Sequence, residues 1–344
     1  MKNKKLKIAI VSKLWEPSSP YSTGGTGVIV GNLVNGLVKR GHEVTLFATG
    51  NSKTLAQKTI SVQHKSFLND YSEIKEYQNI YNCYKIAHKF DIINTHVEHK
   101  ACFFAPLTKT PTIINIEYGE FLDDELNLIK ENKNLIYVTI SKSMKLVLPF
   151  IKFKKIIHCG IDLNLFPFNN EPKDYLLFLA RISPQKGPHM AIRLAKETNH
   201  KLIMAGKKSL VDKNYLRDKV FKFVDNKQIF YLGEVQFRKK IDLFKNALAF
   251  LHPISFHEAF GITLIEAGAC GTPIIAFNNG SPKEIINNGV NGWVVENFNQ
   301  MKQKIQNLNR LSRLKCRQIV EERFSVEKMV ASYEKLFYEI TNKK

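Results

Sequence analysis

The chain has 344 residues, with 51 Lys and Arg against 31 Asp and Glu, a formal charge of +20, and 44% hydrophobic residues. That length exceeds one ordinary core and predicts two domains of about 150–170 residues each, and the composition is that expected of a soluble globular protein. No run of about 18 apolar residues occurs, which excludes a helical membrane span, while the charge favours nucleic acid, anionic lipid or phosphate-bearing ligands.

The basic N-terminus leads into a short apolar run around Ile8 and Ile10. This reads as a first strand rather than a signal peptide. The five cysteines lie far apart without a C-x-x-C pair, as expected of reduced thiols in a cytoplasmic protein.

In chain order, 6–15, 43–49, 91–96, 112–118 and 135–141 are β-branched and apolar on both faces, the pattern of central parallel strands. Helical patterns at 26–40, ending at Gly41, and 70–89 lie between them. The polar stretch 163–174 reads as a linker. Alternation then restarts, with strands predicted at 175–182, 201–206, 228–233, 249–254 and 273–278, and helices at 188–198, 213–224, 237–247 and 262–270. The tail from 298 to 344 is helical in pattern. Two such arrays predict an α/β fold of two doubly wound, Rossmann-like domains, 1–165 and 166–322. Ligands are expected beyond the carboxyl ends of the strands, where two facing sheets would share one cleft.

After the first strand, Gly24, Gly25 and Gly27 allow close backbone approach at the start of a helix. A nicotinamide-binding fingerprint fits poorly, because the glycine spacing differs and no acidic residue closes the next strand; a mobile turn is the plain alternative. Arg181 ends the first strand of the second array, and Lys186 follows just before a Gly-Pro helix start. A guanidinium fork with an ammonium suits a diphosphate, two solvated cations being the alternative. In the stretch 256–273, Glu258 lies in a loop and Glu266 in the second turn of the helix that follows. Backbone N–H groups at 260–263 would point at an anion. Two carboxylates suit the hydroxyls of two sugars.

The stretch "EAFGITLIE" resembles the E-x7-E signature of retaining glycosyltransferases of the family 4 type, with the GT-B architecture. The resemblance extends over "GGTGV", "GID", "ARISPQKG", "YLGEV", "HPISFHEAFG", "EAGACGTPIIAFNNGSPKEIINNGVNGW" and a closing helix at 324–337. It implies a C-terminal helix, 323–344, that crosses back to the first domain. It implies that Glu258 holds donor hexose hydroxyls and that Glu266 holds the ribose. Arg181 and Lys186 would neutralise the diphosphate, with Phe260, Gly261 and Ile262 lending N–H groups. Gly25 and Gly27 join the donor-binding set. No metal and no resident cofactor are implied, since the two cations replace a metal at the leaving group. The co-substrate is a nucleotide-diphosphate sugar, UDP-linked, and the acceptor a hydroxyl; "LDDEL" (122–126) reads as a helix start.

One departure stands out. Where the family carries a histidine at the end of its fourth strand, this chain has Glu117, a candidate for holding sugar hydroxyls or for acting as the acceptor base. His96 and His99 would compensate or else be structural or surface residues, and His257 carries the same alternatives. The segment 141–155 joins apolar residues to lysines and suggests an amphipathic helix against anionic lipid at the inner membrane face, interrupted by Pro149. A phosphorylase or epimerase of the same fold is the rival enzyme. A polyanion-binding protein is the rival of another class, disfavoured because such binding needs no paired carboxylates; no nucleic acid is expected.

Overall fold

A computed structural model describes residues 4–66 and 72–342. Residues 70–71 of the expected helix 70–89, and 343–344 of the tail, lie outside the described residues. The chain divides into two compact units, one of Met1–Asp162 with Phe324–Lys344 and the other of Leu163–Arg323.

In the first unit, β1 (Lys7–Val11) leads to α1 (Gly25–Lys39), β2 (Glu43–Phe47), β3 (Lys58–Ile60) and α2 (Glu73–Tyr84). Then come β4 (Ile92–Thr95), β5 (Thr112–Ile116), α3 (Asp123–Glu131), β6 (Ile136–Thr139), the single turn α4 (Met144–Val147) and β7 (Lys155–Ile156). All pairings are parallel, in the order β3-β2-β1-β4-β5-β6-β7. The central strands are apolar on both faces because helices cover both faces; Ile8, Ile10, Ile92, Ile93, Ile113 and Ile114 are fully buried. The strand expected over 6–15 stops at Val11. Beyond it Ser12 bonds back to Phe47, and Lys13 turns into a polar cluster.

The second unit begins with β8 (Leu176–Leu179) and α5 (Pro188–Glu197), then β9 (Leu202–Ala205) and α6 (Lys213–Tyr215), which runs on as a wider turn over Leu216–Val220. Next are β10 (Ile229–Tyr231), α7 (Phe237–Asn246), β11 (Ala249–His252), α8 (Ile262–Ala269), β12 (Ile274–Phe277), α9 (Pro282–Ile285), β13 (Gly292–Val295), α10 (Phe298–Ile305) and α11 (Arg313–Arg323). Its six strands are parallel in the order β10-β9-β8-β11-β12-β13. Counted within each unit, both sheets run third-second-first-fourth-fifth-sixth, the first adding a seventh strand at its end; this is the doubly wound order, and the order of the strands reverses between the first and the fourth.

The closing helix α12 (Val326–Thr341) belongs to the first unit. Ser325 caps it by accepting from the Lys328 N–H. Gly36 of α1 lets α12 lie close, since a Cβ there would stand 2.3 Å from Val330. Glu334 pairs with Arg40 at 2.8 Å and His42 at 3.0 Å.

The segment 141–155 is not an amphipathic helix. Only α4 forms, because Pro149 cannot continue the helix. Met144, Leu148 and Ile151 are buried in the unit while Leu146 is exposed, so no continuous apolar face results. Among the described residues no helix is long and apolar enough to cross a membrane.

Candidate active site

In the second unit the reversal falls between β8 and β11. Arg181 follows β8 and is exposed. The chain then makes a tight turn over Pro184–Lys186 and enters α5 through Gly187, at φ +74°. A Cβ at Gly187 would lie 2.1 Å from the Pro253 carbonyl, so only glycine brings this loop so close to the one after β11. The Ser255 N–H donates to the Gln185 carbonyl at 2.9 Å and completes the lacing.

Lys186 is brought onto Glu258 by this lacing, with Nζ 3.2 Å from Oε2 and 4.3 Å from the centre of the Phe256 ring. His252, the last residue of β11, places Nε2 3.4 Å from the same oxygen. Burial pushes the Glu258 carboxyl up, but the His252 contact and the Lys186 charge together outweigh it and hold it down at about 2. Burial lowers His252, so its ring is neutral near pH 7. The Glu258 backbone is pinned on both sides, its N–H donating to Asn279 at 3.2 Å and its carbonyl accepting from Ser281 at 3.0 Å. Gly261, at φ +79°, caps α8, and the first-turn amides from Ile262 onward lie at a helix N-terminus. Phe260 is buried beside them.

Glu266 is 1% exposed rather than open. Its Oε1 is 2.5 Å from Lys240 Nζ of α7, and its Oε2 is buried with no hydrogen-bond partner in the structure. Lys240 went unread in the sequence. The signal was present: it lies three residues after Phe237 and four before Phe244, on the apolar stripe of α7.

The first unit places a different set at its own reversal, between β1 and β4. Lys13 bonds both oxygens of Glu98, at 2.8 and 2.9 Å. Burial works against the ammonium, but Glu98 more than compensates and raises Lys13. Glu98 sits at φ +43°, a left-handed conformation costly for a side-chain-bearing residue. Glu16 reaches the glycine loop, its Oε1 accepting from the Gly27 N–H at 2.9 Å. Burial raises the Glu16 carboxyl, and bonds from Gly27 and Gly24 only partly oppose this. A Cβ on Gly24 would meet Glu16 at 1.8 Å. The Gly27 amide, expected to face a donor, is therefore occupied by a side chain of its own unit; Gly25 begins α1, half-exposed.

Glu117 follows β5 and bonds His96 after β4, Oε1 to Nδ1 at 2.8 Å; its Oε2 is buried and unpartnered. His96, expected to be structural or on the surface, is fully buried against Glu117. His99 stands apart, 3.4 Å from Glu125 of α3, and burial lowers it. His257 is half-buried and lowered likewise. Among the described residues no three His, Cys, Asp or Glu side chains are grouped to hold a metal ion.

Two family models match the chain, "Glycosyl transferases group 1" over residues 165–323 and "Glycosyltransferase Family 4" over residues 23–116. An uncharacterized glycosyltransferase of Methanocaldococcus jannaschii is 26% identical over 337 residues, spanning 84% of this chain and 85% of that protein. Sucrose-phosphate synthase from Thermosynechococcus elongatus superposes with a TM-score of 0.83 at 17% identity, covering 99% of this chain and 100% of the other. Anabaena HepE in complex with UDP and glucose gives 0.76 at 17%, covering 97% and 100%. The chain belongs to the glycosyltransferases of the family 4 type, with the GT-B fold.

Proposed function

We infer that this glycosyltransferase moves a hexosyl group from a UDP-linked sugar to an acceptor hydroxyl with retention of configuration. One observation carries the reading: Lys186 holds the ionised Glu258 at the reversal point of the second sheet, beside the start of α8, with Arg181 exposed just after β8. Cations and helix amides suit a diphosphate leaving group. A carboxylate kept ionised, with His252 and Lys186 on one oxygen, suits sugar hydroxyls. The unpartnered Oε2 of Glu266 suits a ribose hydroxyl. The choice of UDP is supported by HepE, whose solved complexes contain UDP and UDP-glucose.

In this mechanism Arg181 and Lys186 stabilise the charge on the departing diphosphate, doing so without a metal ion. The departing oxygen helps take the acceptor proton on the same face of the sugar. Glu117 accepts a hydrogen bond from a substrate hydroxyl.

A mass-spectrometric screen of UDP-, GDP- and ADP-sugars for hydrolysis and transfer tests the reading. Turnover of a UDP-hexose is expected, and thermal stabilisation should be larger with UDP than with GDP or ADP. Stabilisation by a short DNA duplex but by no nucleotide diphosphate would overturn it. Glu266→Ala should weaken UDP binding, whereas Glu258→Ala should mainly slow transfer, since a ribose contact is the same in ground and transition states.

A further inference from the structure

Five side chains of the first unit form an unbroken buried line. Tyr333 of α12 contacts Asn115 Oδ1 at 2.7 Å, and Asn115 Nδ2 contacts Asn94 Oδ1 at 2.8 Å. Asn94 Nδ2 contacts His96 Nε2 at 3.0 Å, and His96 Nδ1 contacts Glu117 Oε1 at 2.8 Å. The direction of every bond follows from one anchor. Asn115 Nδ2 also lies 2.9 Å from the Thr95 carbonyl, which can only accept, so this end of the Asn115 amide is the NH2. Its oxygen must then accept from the Tyr333 hydroxyl. Asn94 must present its oxygen to Asn115 and its NH2 to His96. Nε2 of His96 therefore accepts, and the ring proton sits on Nδ1.

We propose that His96 is a positioning residue for Glu117: the line from Tyr333 holds it as the neutral Nδ1–H tautomer, which fixes Glu117 with Oε1 satisfied and Oε2 as the acceptor for one substrate hydroxyl. This rests on the glycosyl-transfer reading for the identity of the substrate, but the tautomer does not. Neither asparagine amide relays a proton, so the line orients and does not shuttle. Of the two roles open to Glu117, it favours holding a hydroxyl over acting through His96 as a base. Tyr333 fits the donor end, because burial, with the Glu117 charge adding, pushes its phenol well up. The other ionisable groups acting on this cluster are Lys13, Glu98 and Glu16, with Cys159 beside Tyr333 and Glu76 acting on Lys13.

The test is a 15N spectrum of the histidine rings in the intact protein, with the His96 signals identified by their loss in His96→Asn. Nδ1–H with an unprotonated Nε2 at pH 8 is expected; Nε2–H, or an imidazolium at that pH, would overturn the proposal. Kinetics supply the second arm. Asn offers an amide NH2 near the place of Nδ1 and Leu offers none, so His96→Asn should retain kcat about tenfold or more above His96→Leu. Asn94→Asp puts a carboxylate against Nε2, and the ring should then become an imidazolium, adding an ionisation to the kcat profile that the parent lacks. Equal kcat in Asn and Leu variants that both fold, with no new ionisation in Asn94→Asp, would reduce His96 to a packing residue. If no sugar is transferred by the parent, the spectrum still decides the tautomer.

Discussion

The two units share the order of their first six strands and carry opposite chemistry at the point where that order reverses. In the first, Glu16, Glu98 and Glu117 gather around Lys13 and His96. In the second, Lys186 stands with Glu258, Arg181 is exposed after β8, and Lys240 backs Glu266. The scaffold therefore decides where ligand residues sit and the loops decide their sign. A site rich in hydrogen-bond acceptors suits hydroxyls, and one with exposed cations suits phosphate. The glycine loops show the same contrast: near Gly27 the amide is spent on Glu16, whereas Gly187 and Gly261 start helices beside Lys186 and Glu258.

The contrast breaks most severely at the buried pair. Lys240→Met leaves the Glu266 carboxylate buried without its cation, which should cost about 3–5 kcal/mol in denaturant unfolding. Lys240→Met with Glu266→Gln should recover most of that loss. Lys13→Met in the first unit should cost less, because Lys13 retains 23% of its side-chain exposure.

Next comes turnover. Arg181→Ala and Lys186→Ala should fold, and each should lose about a hundredfold in rate, on the order of 3 kcal/mol at the transition state. Parent-like turnover in both would remove the phosphate role from the second unit.

A smaller effect depends on pH. The Glu258 carboxyl lies at about 2 in the folded chain, below its ordinary value near 4.5. A depressed folded value means that the stability is fully present above about 4.5 and is lost as pH falls through about 2. Glu258→Gln should therefore be less stable than the parent at pH 7 by up to about 3 kcal/mol. Urea melts should show that gap shrinking at pH 3; a constant gap would mean that the ion pair contributes nothing. The smallest expected effect is that of EDTA, which should leave transfer rates unchanged; loss restored by magnesium would show that Arg181 and Lys186 do not suffice.

Legibility in the sequence tracked burial and distance along the chain. Central strands such as Leu176–Leu179 and Ile274–Phe277 are continuous apolar runs because both faces are covered. Lys58–Ile60 and Lys155–Ile156 escaped because they are short, polar and incompletely buried sheet edges. Gly292–Val295 escaped inside a motif read only for its family likeness. Arg181, Lys186 and Glu258 stood out because loops after strands rarely need such residues for packing. Lys13 with Glu98, Lys240 with Glu266 and Tyr333 with Asn115 did not, because each pair is separated by 85, 26 and 218 positions respectively, beyond any local pattern.

That last separation has a consequence for synthesis. The second unit is continuous from Leu163 to Arg323, whereas the first is completed only by Phe324–Lys344. Every residue of the second unit is therefore joined to the chain before Tyr333 is, and the first unit waits with the Asn115 oxygen unpaired and α1 uncovered. Released chains ending at Arg323 should resist protease over 163–323 and yield within the first unit, and restoring the chain through Thr341 should close the difference. The first unit, begun before the second, is finished after it, and the Asn115 oxygen gains its partner only when α12 docks.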